Sequence, residues 1–254
     1  MVMASKISIL LLTEDTGGAA HAVVRAVVEK LLFAAAGSLD ISQIDFERAE
    51  ERARQAMGFN LYKSTNPDDY RKQLDLAQTI ATKLLRKGTE TFVFVHVDGD
   101  RLWSQRGQQD GKALCDNHAF FARNVLRRVL LLLEPGRHTE LLQRILMVIP
   151  FWSIEAWLYQ NTREVQRLCT LHAPRHDRGQ PQFREWTADP AQLDDTSQPK
   201  MKVPTFKDKY NLQLAQSLPA RKLHMLGLSF ASTVERLQRC LPLKAAIAGL
   251  QYHS

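Results

Sequence analysis

The alternation of short, unbroken apolar runs with longer segments of helical periodicity limits how this chain can fold more than any other feature. Lys6 to Thr13 reads Lys-Ile-Ser-Ile-Leu-Leu-Leu-Thr, a β-rich run with little alternation, as a strand covered on both faces requires. Ala19 to Ala35 then carries Val23, Val24, Val27, Val28, Leu31 and Leu32 at helical spacing, with Gly17-Gly18 as the turn before it. Ile41 to Phe46 reads as a second strand, interrupted by Ser42 and Gln43. Glu47 to Tyr70 is polar and irregular, and Asn66-Pro67-Asp68-Asp69 forms a turn leading into an acidic first helical turn. That helix runs to about Arg86 and stops at Gly88.

Thr91 to Val97 is the clearest strand, and it runs directly into Asp98-Gly99-Asp100. Gly111 to Leu133 has helical periodicity, ended by Glu134-Pro135-Gly136. Arg144 to Pro150 is a fourth short buried strand, followed by a helix from Ser153, a residue suited to capping it. Strands alternating with helices predict an α/β fold: a small, mostly parallel sheet flanked by helices over residues 5–165. Past Leu168 the composition shifts. His172 to Lys200 holds four of the ten prolines among Arg, Asp, Gln and Ser, so residues 166–209 read as a long polar loop. Residues 210–254 read as an α-helical C-terminal extension, with Phe230, Val234, Leu237 and Leu241 on one apolar face.

Bulk composition narrows the function classes. Lys plus Arg exceed Asp plus Glu by 34 to 27, a net charge of +7, which favours an anionic partner such as nucleic acid. Cys115, Cys169 and Cys240 are far apart and form no CxxC spacing, so neither a disulfide framework nor a zinc site is expected. The N-terminal apolar run stops at Thr13-Glu14-Asp15, too short for a signal peptide. The longest other apolar candidate, Val129 to Leu133, is far below the roughly 18 residues a span needs. A cytoplasmic protein without a membrane partner is the expectation.

In an open parallel sheet, ligands collect outside the carboxyl ends of the strands. Three of the proposed strands lead to acids there: Glu14 and Asp15 after the first, Asp98 and Asp100 after the third, and Glu155 five residues past Pro150. Carboxylates aimed at one crevice repel unless a cation sits among them, and oxygen-only ligands favour Mg²⁺ or Mn²⁺ over zinc. Alternate residues of an extended Asp-Gly-Asp point the same way, and the glycine allows close backbone approach. Taken singly, each acid also fits a bland role, as a helix cap or a solvated loop residue.

Other features carry less. Gly17-Gly18 lacks the lysine and spacing of a phosphate-binding P-loop. His96 reads as a core or supporting residue, and His172 and His176 have no cysteine partner nearby. Trp103, Trp152 and Trp157 read as packing residues. Lys207, Lys209, Arg221 and Lys222 are candidates to face a nucleic-acid backbone, with a solvated surface as the default.

Leu-Leu-Leu-Thr-Glu14-Asp15-Thr16-Gly17-Gly18 after the first strand and Val-His-Val-Asp98-Gly99-Asp100 after the third resemble the TOPRIM domain shared by topoisomerases, primases and OLD-class nucleases. A closer likeness is to stand-alone bacterial TOPRIM-like proteins often implied in phage defence. It rests on the run from Ile149 to Leu158, with Glu155 inside it, and on Leu228-Ser229-Phe230 before a C-terminal helix. The resemblance covers about residues 5–160, and more loosely Lys200 to Gln238. It implies a Rossmannoid sheet on which Glu14, Asp98 and Asp100 hold magnesium for phosphodiester chemistry. Glu14 would then be a general base or metal ligand, Asp98 and Asp100 ligands, and Asp15 and Glu155 further ligands. The family usually has glycine after its glutamate; here Asp15 follows Glu14. The expected function is a metal-dependent nuclease or related phosphoryl-transfer enzyme acting on nucleic acid. The alternatives are a catalytically degenerate binding or effector subunit working with a separate ATPase, and an enzyme of small phosphorylated metabolites.

Overall fold

The computed structural model describes residues 7–14, 17–99, 117–174, 181–194, 199–201, 203 and 205–251. Asp15, Asp100, Trp103, Cys115 and His176, together with the first residues of the helix expected from Gly111, lie outside them.

Four strands, β1 (Ile7–Thr13), β2 (Ile44–Arg48), β3 (Glu90–His96) and β4 (Ile145–Val148), form one sheet in the order β2-β1-β3-β4. Every pairing is parallel, with Ile7 opposite both Ile44 and Glu90, and Val93 opposite Ile145. All seven residues of β1 are buried, as expected for an apolar run that has strands on both sides and helices on both faces. Successive side chains point to opposite faces, and the two cores divide accordingly. Ile7, Ile9, Leu11, Phe92 and Phe94 join one cluster, whereas Leu10, Leu12, Val93, Val95 and Val97 join the other. Fully burying each such side chain contributes roughly 1.5–3 kcal/mol.

On the first face lies α1 (Gly18–Ala36), which turns Val23, Val24, Val27, Val28, Leu31 and Leu32 inward. It ends at Gly37, whose φ of 75° lets its amide reach the carbonyl of Phe33. On the second face pack α2 (Glu51–Gly58) and α3 (Tyr70–Leu84), with α4 (Asn117–Phe121), which passes through a π-turn at Ala122–Leu126 into α5 (Arg127–Leu132). A short α6 (His138–Leu142) precedes β4, and α7 (Glu155–Leu158) follows it.

The C-terminal helices are not a detached extension. α8 (Thr162–His172), α9 (Pro181–Ala188), α10 (Phe206–Gln216), α11 (Ala220–Met225), α12 (Ser229–Arg239) and α13 (Leu241–Gln251) share the first-face core, which runs without a break from Ile7 to Leu250. α10 and α12 pack directly on α1.

Five expectations need correction. The second strand is Ile44–Arg48 and not Ile41 to Phe46, because Asp40 accepts from the Ser42 amide at 3.0 Å and winds Ile41–Gln43 into a 3₁₀ turn. Ser153 does not cap the helix after β4: its hydroxyl donates to the Glu155 carboxylate, and among the described residues no side chain caps that helix. Residues 166–209 are not a long polar loop: they hold most of α8, all of α9 and a 3₁₀ turn at Pro190–Asp194. Pro181 and Pro190 open those elements, where a missing N–H costs nothing, and Phe183, Trp186 and Leu193 bury themselves in the core. The Asp194 carboxylate accepts from the Ser229 amide at 2.7 Å and its hydroxyl at 2.9 Å, so this segment anchors the start of α12. The irregular stretch after β2 contains α2, which buries Ala53, Ala56 and Met57. Leu241 leaves the apolar face of Phe230, Val234 and Leu237: it is 70% exposed because Cys240 is extended and a new helix begins at Leu241, out of phase with the last.

Candidate functional site

Strand order reverses between β1 and β3: the chain leaves β1 for β2 on one side and returns to β3 on the other. The carboxyl ends of these two strands therefore flank the crevice where parallel α/β sheets take their ligands. Glu14 stands at the end of β1 and Asp98 just past the end of β3. Pairing extends one residue beyond the strands, since the Glu14 amide donates to the His96 carbonyl at 3.2 Å. That register brings the Glu14 side chain over the next turn, where its Oε2 accepts from the Asp98 amide at 2.7 Å. A charge-assisted bond of this kind is about twice as strong as a neutral one.

The other oxygen of Glu14 is held as well. Oε1 accepts from Lys63 Nζ at 3.1 Å and from the Tyr62 hydroxyl at 3.3 Å. Both donors sit on a 3₁₀ turn, Leu61–Lys63, that is fixed from two directions. Gln73 of α3 donates to the carbonyls of Leu61 and Ser64, each at 2.9 Å, and Asn124 donates to the carbonyl of Tyr62 at 2.8 Å. Asn124 lies in the π-turn, a local widening of the helix that is frequent at functional positions. Asn117, at the start of α4, donates to the Asp98 carbonyl at 2.5 Å. The Asp98 carboxylate is 35% exposed, and its Oδ1 lies 3.7 Å from Nε2 of the buried His96, beyond hydrogen-bond length.

Gly99 is required for a reason different from the one the Asp-Gly-Asp spacing suggests. A Cβ there would stand 2.2 Å from the Phe151 carbonyl oxygen and 2.3 Å from that of Pro150. The turn after β3 thus lies directly against the turn after β4, and only a residue without a side chain permits it.

Among the described residues no bond links Glu155 to Glu14. The Glu155 carboxylate accepts from the Ser153 hydroxyl at 2.6 Å and from Asn211 of α10 at 2.9 Å, with Lys207 Nζ at 3.9 Å. These partners belong to the α1 and α10 side of the sheet, whereas Tyr62 belongs to the α2 and α3 side. Among the described residues no three His, Cys, Asp or Glu side chains gather closely enough to hold a metal. Asp15 and Asp100, the remaining proposed ligands, lie outside those residues.

The proposed nucleic-acid contacts disperse. Lys209 lies over the ring of Tyr210. Arg221 donates to the Gly37 carbonyl at 3.3 Å and stacks on Phe33, at the far end of a 19-residue helix, about 28 Å from the carboxyl edge at ~1.5 Å per residue. Lys222, its neighbour on the same short helix, is exposed there too.

A different basic group lies at the right edge. His21, in the first turns of α1, has its imidazole held below its ordinary pKa, first by burial and then by the guanidinium charges of Arg48, Arg25 and Arg54. Arg48 is the last residue of β2. Two of these guanidinium groups are already matched by carboxylates, Arg25 by Glu29 at 3.0 Å and Arg54 by Glu51, so the positive potential they add where α1 begins is partly offset. The first turn of α1 itself carries no acid. Neither these residues nor Tyr62, Lys63, Asn117 and Asn124 form a recognisable spacing in the sequence. Tyr62 and Lys63 fall in a segment that reads as irregular.

No family model matches this chain, and no curated protein or solved structure matches it significantly.

Proposed function

We propose that this chain is a TOPRIM-like, metal-dependent phosphodiester hydrolase acting on nucleic acid. The observation that carries the reading is the convergence of Glu14 and Asp98 at the topological switch point, with the Glu14 carboxylate 2.7 Å from the Asp98 amide. Two acids 84 residues apart are locked into one turn-on-turn contact at the place where this fold class binds phosphates.

Glu14 and Asp98, with Asp100 and Asp15 completing the set, are the oxygen donors that would hold Mg²⁺ or Mn²⁺. Such an ion, when bound, lowers the pKa of its water and offsets charge on the phosphoryl oxygens. The chain's own residues do the positioning. Asp98 N–H and Lys63 orient Glu14, and Asn117 fixes the backbone of Asp98, while the net charge of +7 favours an anionic partner.

The Lys63–Glu14 ion pair favours a second reading, in which the pocket is structural and the chain is a non-catalytic effector that works with a separate ATPase. A lysine already neutralising the glutamate removes part of the need for a metal. Incubating the purified chain with plasmid and single-stranded DNA and RNA, with Mg²⁺ or Mn²⁺, separates the two. Cleavage that disappears in Asp98→Ala and Glu14→Ala supports the hydrolase. Metal binding equal in wild type and both variants, with no cleavage, overturns it.

A further inference from the structure

A cavity of about 290 Å³ opens between α7 and α10 on the α1 side of the sheet, lined by none of the residues that bond Glu14. Its volume is near the lower end of the roughly 300–1,000 Å³ typical of small-molecule sites. Glu155, 9% exposed, and Tyr159, 1% exposed, line it with Ser153 and the ring of Phe206, while Lys200, Lys207 and Asp208 are exposed on its rim, Lys207 with its Nζ 3.9 Å from a Glu155 oxygen that a ligand would draw it away from.

The polar groups of this cavity are partly committed and partly open. Each oxygen of Glu155 accepts one short bond, from Ser153 or Asn211. A carboxylate has about four lone-pair sites, so both oxygens can accept again. Among the described residues, no group hydrogen-bonds the Tyr159 hydroxyl, although its ring is stacked on Trp186 and packed against Phe206. Burial, and then the charge of Glu155, hold the phenol far above its ordinary pKa, so it remains an O–H donor at any physiological pH. The hydroxyl reaches the cavity, where a water or a ligand atom can accept from it.

We propose that this cavity binds a guanosine 5′-phosphate group, with the base on Glu155 and Tyr159 and the phosphate on Lys200 and Lys207. The guanine edge presents two adjacent N–H donors, which a carboxylate accepts together, and beside them a carbonyl oxygen, which a phenol O–H satisfies. Uracil offers one N–H between two carbonyls and leaves a carboxylate oxygen facing an acceptor. Phe206 supplies an apolar wall for the base. The rim lysines set the polarity, drawing a phosphate outward while the base goes in. The source is either a free nucleotide or the 5′-phosphorylated end of a strand. Neither requires the Glu14 and Asp98 site to hold metal.

Calorimetric titration of the full chain in EDTA tests this with guanosine 5′-monophosphate, uridine 5′-monophosphate, guanosine and the dinucleotide pGpA. EDTA keeps the result separate from the metal-dependent reading. The guanosine phosphate is expected to bind at least about 10-fold tighter than the uridine phosphate, the scale of one bidentate base contact. Glu155→Gln is expected to erase that preference. Tyr159→Phe should weaken the guanosine phosphate about 10-fold, and Lys207→Ala should weaken it while leaving guanosine unchanged. A ranking of pGpA over the mononucleotide, or the reverse, supports the proposal and identifies the source. Equal binding of the uridine phosphate, no binding at millimolar concentration, or a preference that survives Glu155→Gln overturns it. If Glu155→Gln does not fold by circular dichroism, Tyr159→Phe and Lys207→Ala decide the matter, and unchanged affinity in both overturns the proposal.

Discussion

The Asp98 amide donates to the Glu14 carboxylate across 2.7 Å, joining the turn after β3 to the end of β1. The bond makes Glu14 a structural acceptor as well as a candidate ligand. Replacements that keep or remove its oxygens should therefore separate the two roles.

Glu14→Gln retains an oxygen for the Asp98 amide but loses the charge, and should keep most of the stability while abolishing metal-dependent cleavage. Glu14→Ala removes one acceptor each from the Asp98 amide, the Tyr62 hydroxyl and Lys63. It should cost about 1.5–3 kcal/mol. Urea denaturation beside a cleavage assay reads both, and equal destabilisation by the two variants would dismiss the bond.

Gly99→Ala forces a Cβ to within 2.3 Å of two backbone carbonyl oxygens. Backbone cannot yield as a side chain tip can, and a loss of at least about 1–3 kcal/mol is expected. Gly18→Ala, at the first residue of α1 with open space around the added methyl, should instead gain about 0.4–1 kcal/mol. Thermal melts of both variants check the contrast.

Glu47 accepts from Ser8 at 2.5 Å and from Arg86 at 2.7 Å, and it also bonds Lys83. Burial pushes its carboxyl pKa up, but these partners together outweigh burial and leave it below the ordinary value. The folded chain therefore binds this proton less readily than the unfolded chain. The resulting stability is present above the unfolded value of about 4.3 and is lost as pH falls through the lower folded value. Glu47→Gln should flatten the acid limb of stability against pH, measured by denaturant unfolding between pH 7 and 3.

His21 gives the opposite charge type with the same direction. Its folded pKa lies below the unfolded one, so the unfolded chain takes up the proton first and stability drops as pH falls below about 6.5. Replacing His21 with Gln should remove that step from the stability profile.

Arg48→Ala should weaken nucleic-acid binding across sequences and reduce the salt slope by about 1, and Arg54→Ala, whose guanidinium is paired with Glu51, should do less. Lys222→Ala, at the amino end of the sheet, should change neither. Fluorescence anisotropy with a labelled oligonucleotide at several salt concentrations distinguishes them, and an equal effect of all three would place the binding face elsewhere.

β1, β3 and β4 were readable in the residues because each is a short apolar run followed within two residues by an acid or proline, whereas β2, Ile-Asp-Phe-Glu-Arg at the sheet edge, is mostly polar and shifted by about three residues. β1, β3 and β4 fall within a residue or two of the expected positions, and α1 within one. The region around Phe183 and Trp186 was not readable. Proline and polar residues dominate it locally, and only a distant core shows that two aromatic side chains fix it.

By itself, the sequence determined the α/β class, the parallel sheet and the acids at its strand ends, because hydrophobic periodicity and turn residues act over a few neighbours. Only the tertiary structure decided which acids meet. Strand order set Glu14 beside Asp98, packing of the C-terminal helices gave Glu155 its partner Asn211, and the turn bearing Tyr62 and Lys63 was brought in by Gln73 and Asn124. Contacts between residues tens of positions apart depend on how elements pack, and no local pattern encodes that.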